Sequence, residues 1–335
     1  MNAHAVTTAR HSRTISRELA HRCAVSEVFV TSMDSVAEDE FLVGAQLPRM
    51  HAYYGDHAGS LGLRHDPLLV MEAARQAAIA LTHEFYGVGP EMAFLVRTFN
   101  GTGAATSAWE IGLAPADLVM RIRAPRQHRR GETLTGLDMV IEIERDGASM
   151  MTVDGSFSWT TPRHWNGLRT SFRDSLGLGP FAGALARTER ASAAAVGREN
   201  WRNVVIGAPE LSGDTARATL APDLGHPFLF DHQLDHVPGT LLIEACRQTA
   251  LAMVLEQRPR LDCVASAFDQ FVELDLPAEC VARVVGEQAE RTEIHCEIRQ
   301  AGVVAAQLDL EFAEDDLVAD ADLVADGGDA EADSI

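Results

Sequence analysis

The sequence predicts an α+β chain built twice over: two curved antiparallel sheets in tandem, each wrapped around one long buried helix. Three observations predict it. A Glu-Ala-x-Arg-Gln pattern occurs once in each half, at 72–76 and 244–248. Both copies sit in apolar segments with helical spacing. About four β-rich segments follow each copy.

The duplication is the strongest of the three. Residues 68–79 and 240–251 align without gaps at an offset of 172, and six of the twelve positions are identical: Leu69/Leu241, Glu72/Glu244, Ala73/Ala245, Arg75/Arg247, Gln76/Gln248 and Ala78/Ala250. A repeat of this length marks a structural unit used twice. Pro67 opens the first copy and Pro238-Gly239 the second, which suits a helix N-terminus. Leu241, Leu242, Ile243, Ala245, Cys246, Ala250, Leu251, Met253 and Val254 cover most of the second helix's circumference. A helix apolar nearly all round is a buried one.

The strands follow in order. In the first half they are expected at 92–99, 118–123, 134–144 and 150–160, with Asp146-Gly147 as a hairpin turn between the last two. In the second half they are expected at 263–274, 280–286, 292–299 and 303–312, the last two joined by Gln300-Ala301-Gly302. One or two strands precede each helix. This is the hot-dog arrangement, in tandem. The expected organisation is a flexible N-terminal arm at 1–24, a first hot-dog domain at 25–164, a linker at 165–200 with a helix around 181–196, a second hot-dog domain at 201–313, and an acidic disordered tail at 314–335. That tail holds nine acids and no base.

Composition narrows the function. The net charge of −21 disfavours nucleic acid as a partner. No run has the roughly 18 to 20 apolar residues of a membrane span, and the Arg-bearing first 23 residues lack the apolar block of a secretory signal. A cytoplasmic location is expected. The five cysteines are odd in number and form no Cys-x-x-Cys pair, which argues against a disulfide framework and a zinc site. The 13 histidines show no metal-ligand spacing, so no metal and no cofactor is expected. All 28 basic residues are arginines, so lysine-based covalent chemistry is excluded.

Three groups of residues carry candidate chemistry. Glu72 and Arg75, like Glu244 and Arg247, are three apart and share a helix face. On a surface they would be an ordinary salt bridge; in a buried helix such charges must be paired or functional. The second group is the loop before the second helix, where His226, Asp231, His232, Asp235 and His236 lead into Pro238-Gly239. A histidine there supplies a general base, and the helix N-terminus supplies donors for an oxyanion. The alternative is a polar capping loop. The first half has a looser version, with Asp56-His57 and His65-Asp66-Pro67. The better-formed loop puts the main centre on Glu244 and Arg247, with Glu72 and Arg75 as a second or degenerate site. The third group is Arg121, Arg123, Arg126, Arg129 and Arg130, a basic strip in an acidic chain and a candidate docking patch for an acidic carrier protein.

The segment from Asp231 through Gln248, with its first-half counterpart from Asp66 to Gln76, resembles the signature of the A-factor biosynthesis family of actinomycetes. The resemblance spans about residues 25–313. More distantly the segments resemble β-hydroxyacyl-ACP dehydratases, which would put His232 and His57 at the dehydratase histidine and Glu244 and Glu72 at its acidic partner. His232 lies 12 residues before Glu244, a shorter spacing than in that pattern. The family resemblance implies an acyltransferase that moves a β-ketoacyl group from acyl carrier protein to the hydroxyl of dihydroxyacetone phosphate, on the way to γ-butyrolactone signals. That reaction needs a base, oxyanion donors and a phosphate-binding cation, which makes Glu244, Glu72, His232 and His57 the catalytic candidates and Arg247, Arg75, Gly239, Asp235 and His236 the substrate-binding ones. By analogy with dehydratase dimers, His57 would face Glu244 and His232 would face Glu72. A dehydratase or thioesterase on the same fold, and a non-catalytic acyl-binding module, are the competing readings.

Overall fold

The computed structural model describes residues 8–185, 188–255, 259–288 and 291–314. Two long helices carry the repeated motif. Helix α1 (Pro67–Tyr86) starts where Asp66 caps the Leu68 N–H at 2.9 Å, and ends at Gly87, whose φ of 67° suits glycine. A second, amphipathic helix, α2 (Pro162–Ser175), starts at the Thr161 cap. Helix α3 (Gly239–Val254) starts after Pro238 with no side-chain cap. As the apolar circumference demands, 12 residues of α3 are buried.

The strands are β1 (Val30–Ala37), β2 (Glu40–Leu47), β3 (Ala93–Gly103), β4 (Ala116–Arg130), β5 (Thr133–Arg145), β6 (Ala148–Thr160), β7 (Glu210–Ser212), β8 (Thr215–Thr219), β9 (Pro259–Phe268), β10 (Ala278–Gln288), β11 (Arg291–Gln300) and β12 (Val303–Glu314). They form one antiparallel sheet in the order β1-β2-β4-β5-β6-β3-β9-β12-β11-β10-β8-β7. Read inward from either edge, the two halves have the same order. The sheet therefore has a pseudo-two-fold axis between β3 and β9, which pair at Thr98↔Ala267, Gly101↔Val264 and Thr102↔Cys263. Helix α1 packs on the first half and α3 on the second. At Gly101, beside the seam, a Cβ would lie 2.5 Å from the end of the Met151 side chain and 2.8 Å from the Met71 sulfur, so both methionines pack directly against the glycine. The tandem hot-dog expected from the sequence is the fold observed. Among the described residues no helix is long and apolar enough to cross a membrane.

Three expectations need correction. The arm at 1–24 is packed over its described part: Ile15 N–H donates to Val30 O at 3.0 Å, Ala20 is fully buried, and Arg22 enters the core. Among the described residues near 181–196 the expected helix is absent, and Ala194–Val196 makes a single 3-10 turn. Gly177, Gly179, Pro180 and Gly183 break the stretch before it, whereas Thr161-Pro162 is a proper start signal for α2. The strand expected at 263–274 ends at Phe268, and 272–273 turn back to pair with the motif loop through Val237 N–H to Val272 O, 2.8 Å. The acidic tail beyond Glu314 lies outside the described residues.

Helix α2 is held against the second half by buried charge. Arg169 donates to both oxygens of Glu273 at 2.6 and 2.9 Å and to Asp235 at 3.0 Å. Arg173 pairs with Glu273 and with Asp275. Glu273 is 1% exposed. Removing it leaves two buried guanidinium groups short of a partner. Glu273→Ala should therefore destabilise the fold by about 3–5 kcal/mol in urea unfolding; a loss under about 1 kcal/mol would show the network is not what docks α2.

Candidate active site

Each repeated glutamate sits at the centre of a buried ionic cluster. Glu244 Oε1 accepts from Arg198 Nη2 at 2.6 Å and from Gln248 Nε2 at 2.5 Å, while its Oε2 accepts from Arg247 Nε at 2.9 Å. Glu72 Oε1 pairs with Arg22 Nη2 at 2.5 Å and accepts from Gln76 Nε2 at 2.7 Å, while its Oε2 accepts from Arg75 Nε at 2.8 Å. The pseudo-two-fold axis thus relates Arg22 to Arg198, Glu72 to Glu244, Arg75 to Arg247 and Gln76 to Gln248. Further pairs obey it. His51 and His226 each accept two backbone N–H groups through Nδ1, and Asp56 and Asp231 each accept a backbone N–H from the segment that carries the arginine.

The two clusters differ at one position. Arg247 Nη1 donates to Asp66 Oδ1 and Oδ2 at 2.7 and 2.8 Å, and Asp66 Oδ2 lies 2.8 Å from His57 Nε2. At the offset that relates the two helices, the counterpart of Asp66 is Pro238. Proline brings no carboxylate and no cap. Arg75 therefore has Glu72 as its only acidic partner among the described residues, and the first N–H groups of α3 have no side-chain acceptor. The Glu244 cluster balances two guanidinium groups with two carboxylates; the Glu72 cluster has one carboxylate fewer.

Access follows the same division. A cleft of about 1960 Å³ is lined by Arg75, His232 and Gly239, together with His21, His236 and apolar residues of β3 and β6. The counterparts of the first three, Arg247, His57 and Pro67, line a cavity of only about 50 Å³, which Trp109 and Phe312 also wall. Glu244 is fully buried and Arg247 is 3% exposed. Glu244 and Arg247, expected as the main centre, are paired with each other and with Asp66, and neither lines the large cleft. The large cleft is composite: Arg22 and Arg75 from the first half line it together with His232 and Gly239 from the second, and Glu72 is buried behind the two arginines.

Protonation separates the roles. Burial alone would raise the Glu72 carboxyl, but Arg22 and Arg75 hold it at about 2. Burial is likewise outweighed at Glu244 by Arg198 and Arg247. A carboxylate held as low as Glu72 is a poor base, and both glutamates are ion-paired to two arginines each. Burial pushes His232 below the ordinary 6.5, against Asp231 and with help from Arg22 and Arg75. It is a neutral imidazole on the cleft at pH 7. His57 is depressed by burial too, but is spent on Asp66. Asp235 is held at about 2 despite burial, by His236 and Arg169. It fixes the His236 ring at Nδ1, 2.8 Å away, between Trp165 and Phe271.

Sequence reasoning missed Arg22, Arg198 and the cross-pair Asp66–Arg247. A second repeat signals the first two: Arg22, Glu27 and Phe29 match Arg198, Asn203 and Val205 at an offset of 176, and His51, Asp56 and His57 match His226, Asp231 and His232 at 175. The differing offsets hide it from an ungapped search.

A sequence profile of the A-factor biosynthesis hotdog domain matches residues 4–161 and 183–313. The chain is 34% identical over 303 residues to a 2-oxo-3-(phosphooxy)propyl 3-oxoalkanoate synthase of Streptomyces virginiae, covering 86% of this chain and 98% of that one. A protein of the same description from Streptomyces coelicolor is 31% identical over 275 residues, covering 79% and 81%. Among solved structures, a putative oleoyl thioesterase from Lactobacillus plantarum superposes with a TM-score of 0.52 at 11% identity, over 82% of this chain and 96% of that one. At that identity the likeness is one of fold.

Burial holds His21, His65 and His226 at about 4, against an ordinary 6.5. Between these values the unfolded chain binds protons that the folded chain refuses, so stability falls as pH drops from 6.5 towards 4. One such histidine contributes a slope of up to about 1.4 kcal/mol per pH unit. His65→Gln should flatten urea-derived stability against pH in this window; an unchanged slope would show that His65 does not titrate on unfolding.

Proposed function

The chain belongs to the A-factor biosynthesis hotdog family, and from that premise we propose that it transfers a β-ketoacyl group from the thioester of acyl carrier protein to the free hydroxyl of dihydroxyacetone phosphate. The name shared by its relatives describes such a product, a 3-oxoalkanoate ester of a 2-oxo-3-phosphooxypropyl alcohol. The observation that carries the reading here is the unbalanced arginine pair at the open cleft. A phosphate dianion needs fixed cations, and Arg75 is a guanidinium with its second acid missing.

The ester forms in one exchange. The alcohol oxygen attacks the thioester carbonyl while His232 takes the hydroxyl proton. The N–H groups of Gly239 and Thr240 at the start of α3 meet the oxyanion, helped by the helix dipole. The tetrahedral adduct collapses, the C–S bond breaks, and the imidazolium returns the proton to the departing thiolate. No acyl-enzyme is needed. Glu72 anchors Arg22 and Arg75, and His236 and Asp235 shape the wall beside the α3 N-terminus. The apolar cleft wall, including Ile79, Phe94, Val153 and Ile243, suits the acyl chain. Along β4, Arg121, Arg123, Arg126, Arg129 and Arg130 offer an acidic carrier protein a basic strip that runs towards His128 at the cleft.

Mass spectrometry after incubation with β-ketoacyl carrier protein, with and without dihydroxyacetone phosphate, tests the reaction. Ester formed only with the phosphate is expected; acyl release indifferent to it would make the chain a thioesterase. Arg75→Ala should raise KM for dihydroxyacetone phosphate about 10- to 150-fold, the loss of a charged hydrogen bond. Arg247→Ala should instead lower stability, because Asp66 and Glu244 stay buried. Equal KM effects from the two would undo the assignment of the open site. His232→Ala should cost about 100- to 10,000-fold in kcat, and in the unaltered chain the acid limb of kcat/KM should lie below pH 6.5.

A further inference from the structure

Three of the five cysteines, which lie far apart in sequence, meet in one place. Cys246 is on α3, Cys280 on β10 and Cys296 on β11. All three are fully buried, and their sulfurs lie within 4.8 Å of one another. Cys246 Sγ is 3.8 Å from Cys280 Sγ, and Cys296 Sγ is 3.9 Å from the Cys246 carbonyl oxygen. The transfer chemistry uses none of them. In the first half Ala74 stands where α3 has Cys246, so duplication alone did not produce the cluster.

A single buried cysteine packs like a small apolar residue and is inert. Three converging sulfurs are a ligand set. A planar three-coordinate ion with metal–sulfur bonds of about 2.3 Å needs sulfurs about 4.0 Å apart. The observed sulfurs lie within 4.8 Å of one another, with the Cys246–Cys280 pair at 3.8 Å, close to that spacing. We infer that Cys246, Cys280 and Cys296 form an all-sulfur, trigonal site for one soft thiophilic metal ion of the Cu(I) or Cd(II) class.

The chemistry of the site selects this class. Hard ions such as Mg²⁺ and Ca²⁺ require oxygen ligands. A closed structural zinc site takes four ligands, and among the described residues no further cysteine, histidine or carboxylate joins the three. In so buried a place a near-neutral complex is favoured. Two thiolates and one thiol around a divalent ion achieve it, with two protons released on binding. The bound ion would tie α3 to β10 and β11 and raise the stability of the second half by linkage. The site is independent of the acyl-transfer reading.

The probe is Cd²⁺, added to the full-length chain carrying Cys23→Ser and Cys263→Ser, which removes the two thiols outside the cluster. One Cd²⁺ per chain is expected by native mass spectrometry, with an ultraviolet sulfur-to-cadmium charge-transfer band and a raised Tm. Uptake either by the folded chain or on refolding with Cd²⁺ supports the site. Cys280→Ala should abolish ion, band and Tm rise while keeping the circular dichroism spectrum; Cys296→Ala serves the same purpose if the first variant does not fold. A band that survives in the alanine variants, or no uptake by either route, overturns the site. A Cys246–Cys280 disulfide in the purified chain also overturns it, since the pair would then be a redox couple.

Discussion

A carboxylate buried on a core helix must be surrounded by cations, and that constraint organises this molecule. Glu72 and Glu244 are 2% and 0% exposed. Neither is tolerable in the interior without charge-assisted partners. Each recruits an arginine from its own helix and another from the segment that leads into its half, Arg22 or Arg198. Those long-range pairs pin the first residues of each half across its helix. This is why residues 10–24 are packed where sequence alone suggests a loose arm.

The two clusters are alike in their glutamate, arginines and glutamine, and differ where Asp66 in one half corresponds to Pro238 in the other. Asp66 performs three tasks: it caps α1, neutralises Arg247 and holds His57. Pro238 performs none of them. The second helix is left without a side-chain cap, and across the pseudo-two-fold axis Arg75 is left with Glu72, shared with Arg22, as its acidic partner among the described residues. The uncapped start of α3 and Arg75 therefore line the same cleft. The opposite end is neutral and nearly filled.

The open end is further shaped by α2, which belongs to neither repeat. Its buried Arg169 and Arg173 grip Glu273 beneath the cleft wall, and Arg169 reaches Asp235, which in turn sets the His236 ring. A segment between the halves thus rigidifies the motif loop. Catalytic groups held by packed and ion-paired neighbours have the preorganisation that oxyanion stabilisation requires.

Much of this was legible in the sequence. The Glu-Ala-x-Arg-Gln repeat, its apolar surroundings and the Asp146-Gly147 and Ala301-Gly302 turns determine two helices, each followed by its own antiparallel strands, because helical periodicity and turn conformation are local properties. The histidine loop and the Pro238-Gly239 helix start were legible for the same reason. Which glutamate's cluster borders the large cleft was not. That depends on Asp66 meeting Arg247 across 181 residues of chain, and on Pro238 failing to provide the equivalent contact to Arg75. The same holds for the three cysteines, whose spacing along the chain gives no hint of their meeting. Local sequence determined the elements and their residue types; only the tertiary structure decided which charges cancel, because cancellation is set by distance in space and burial.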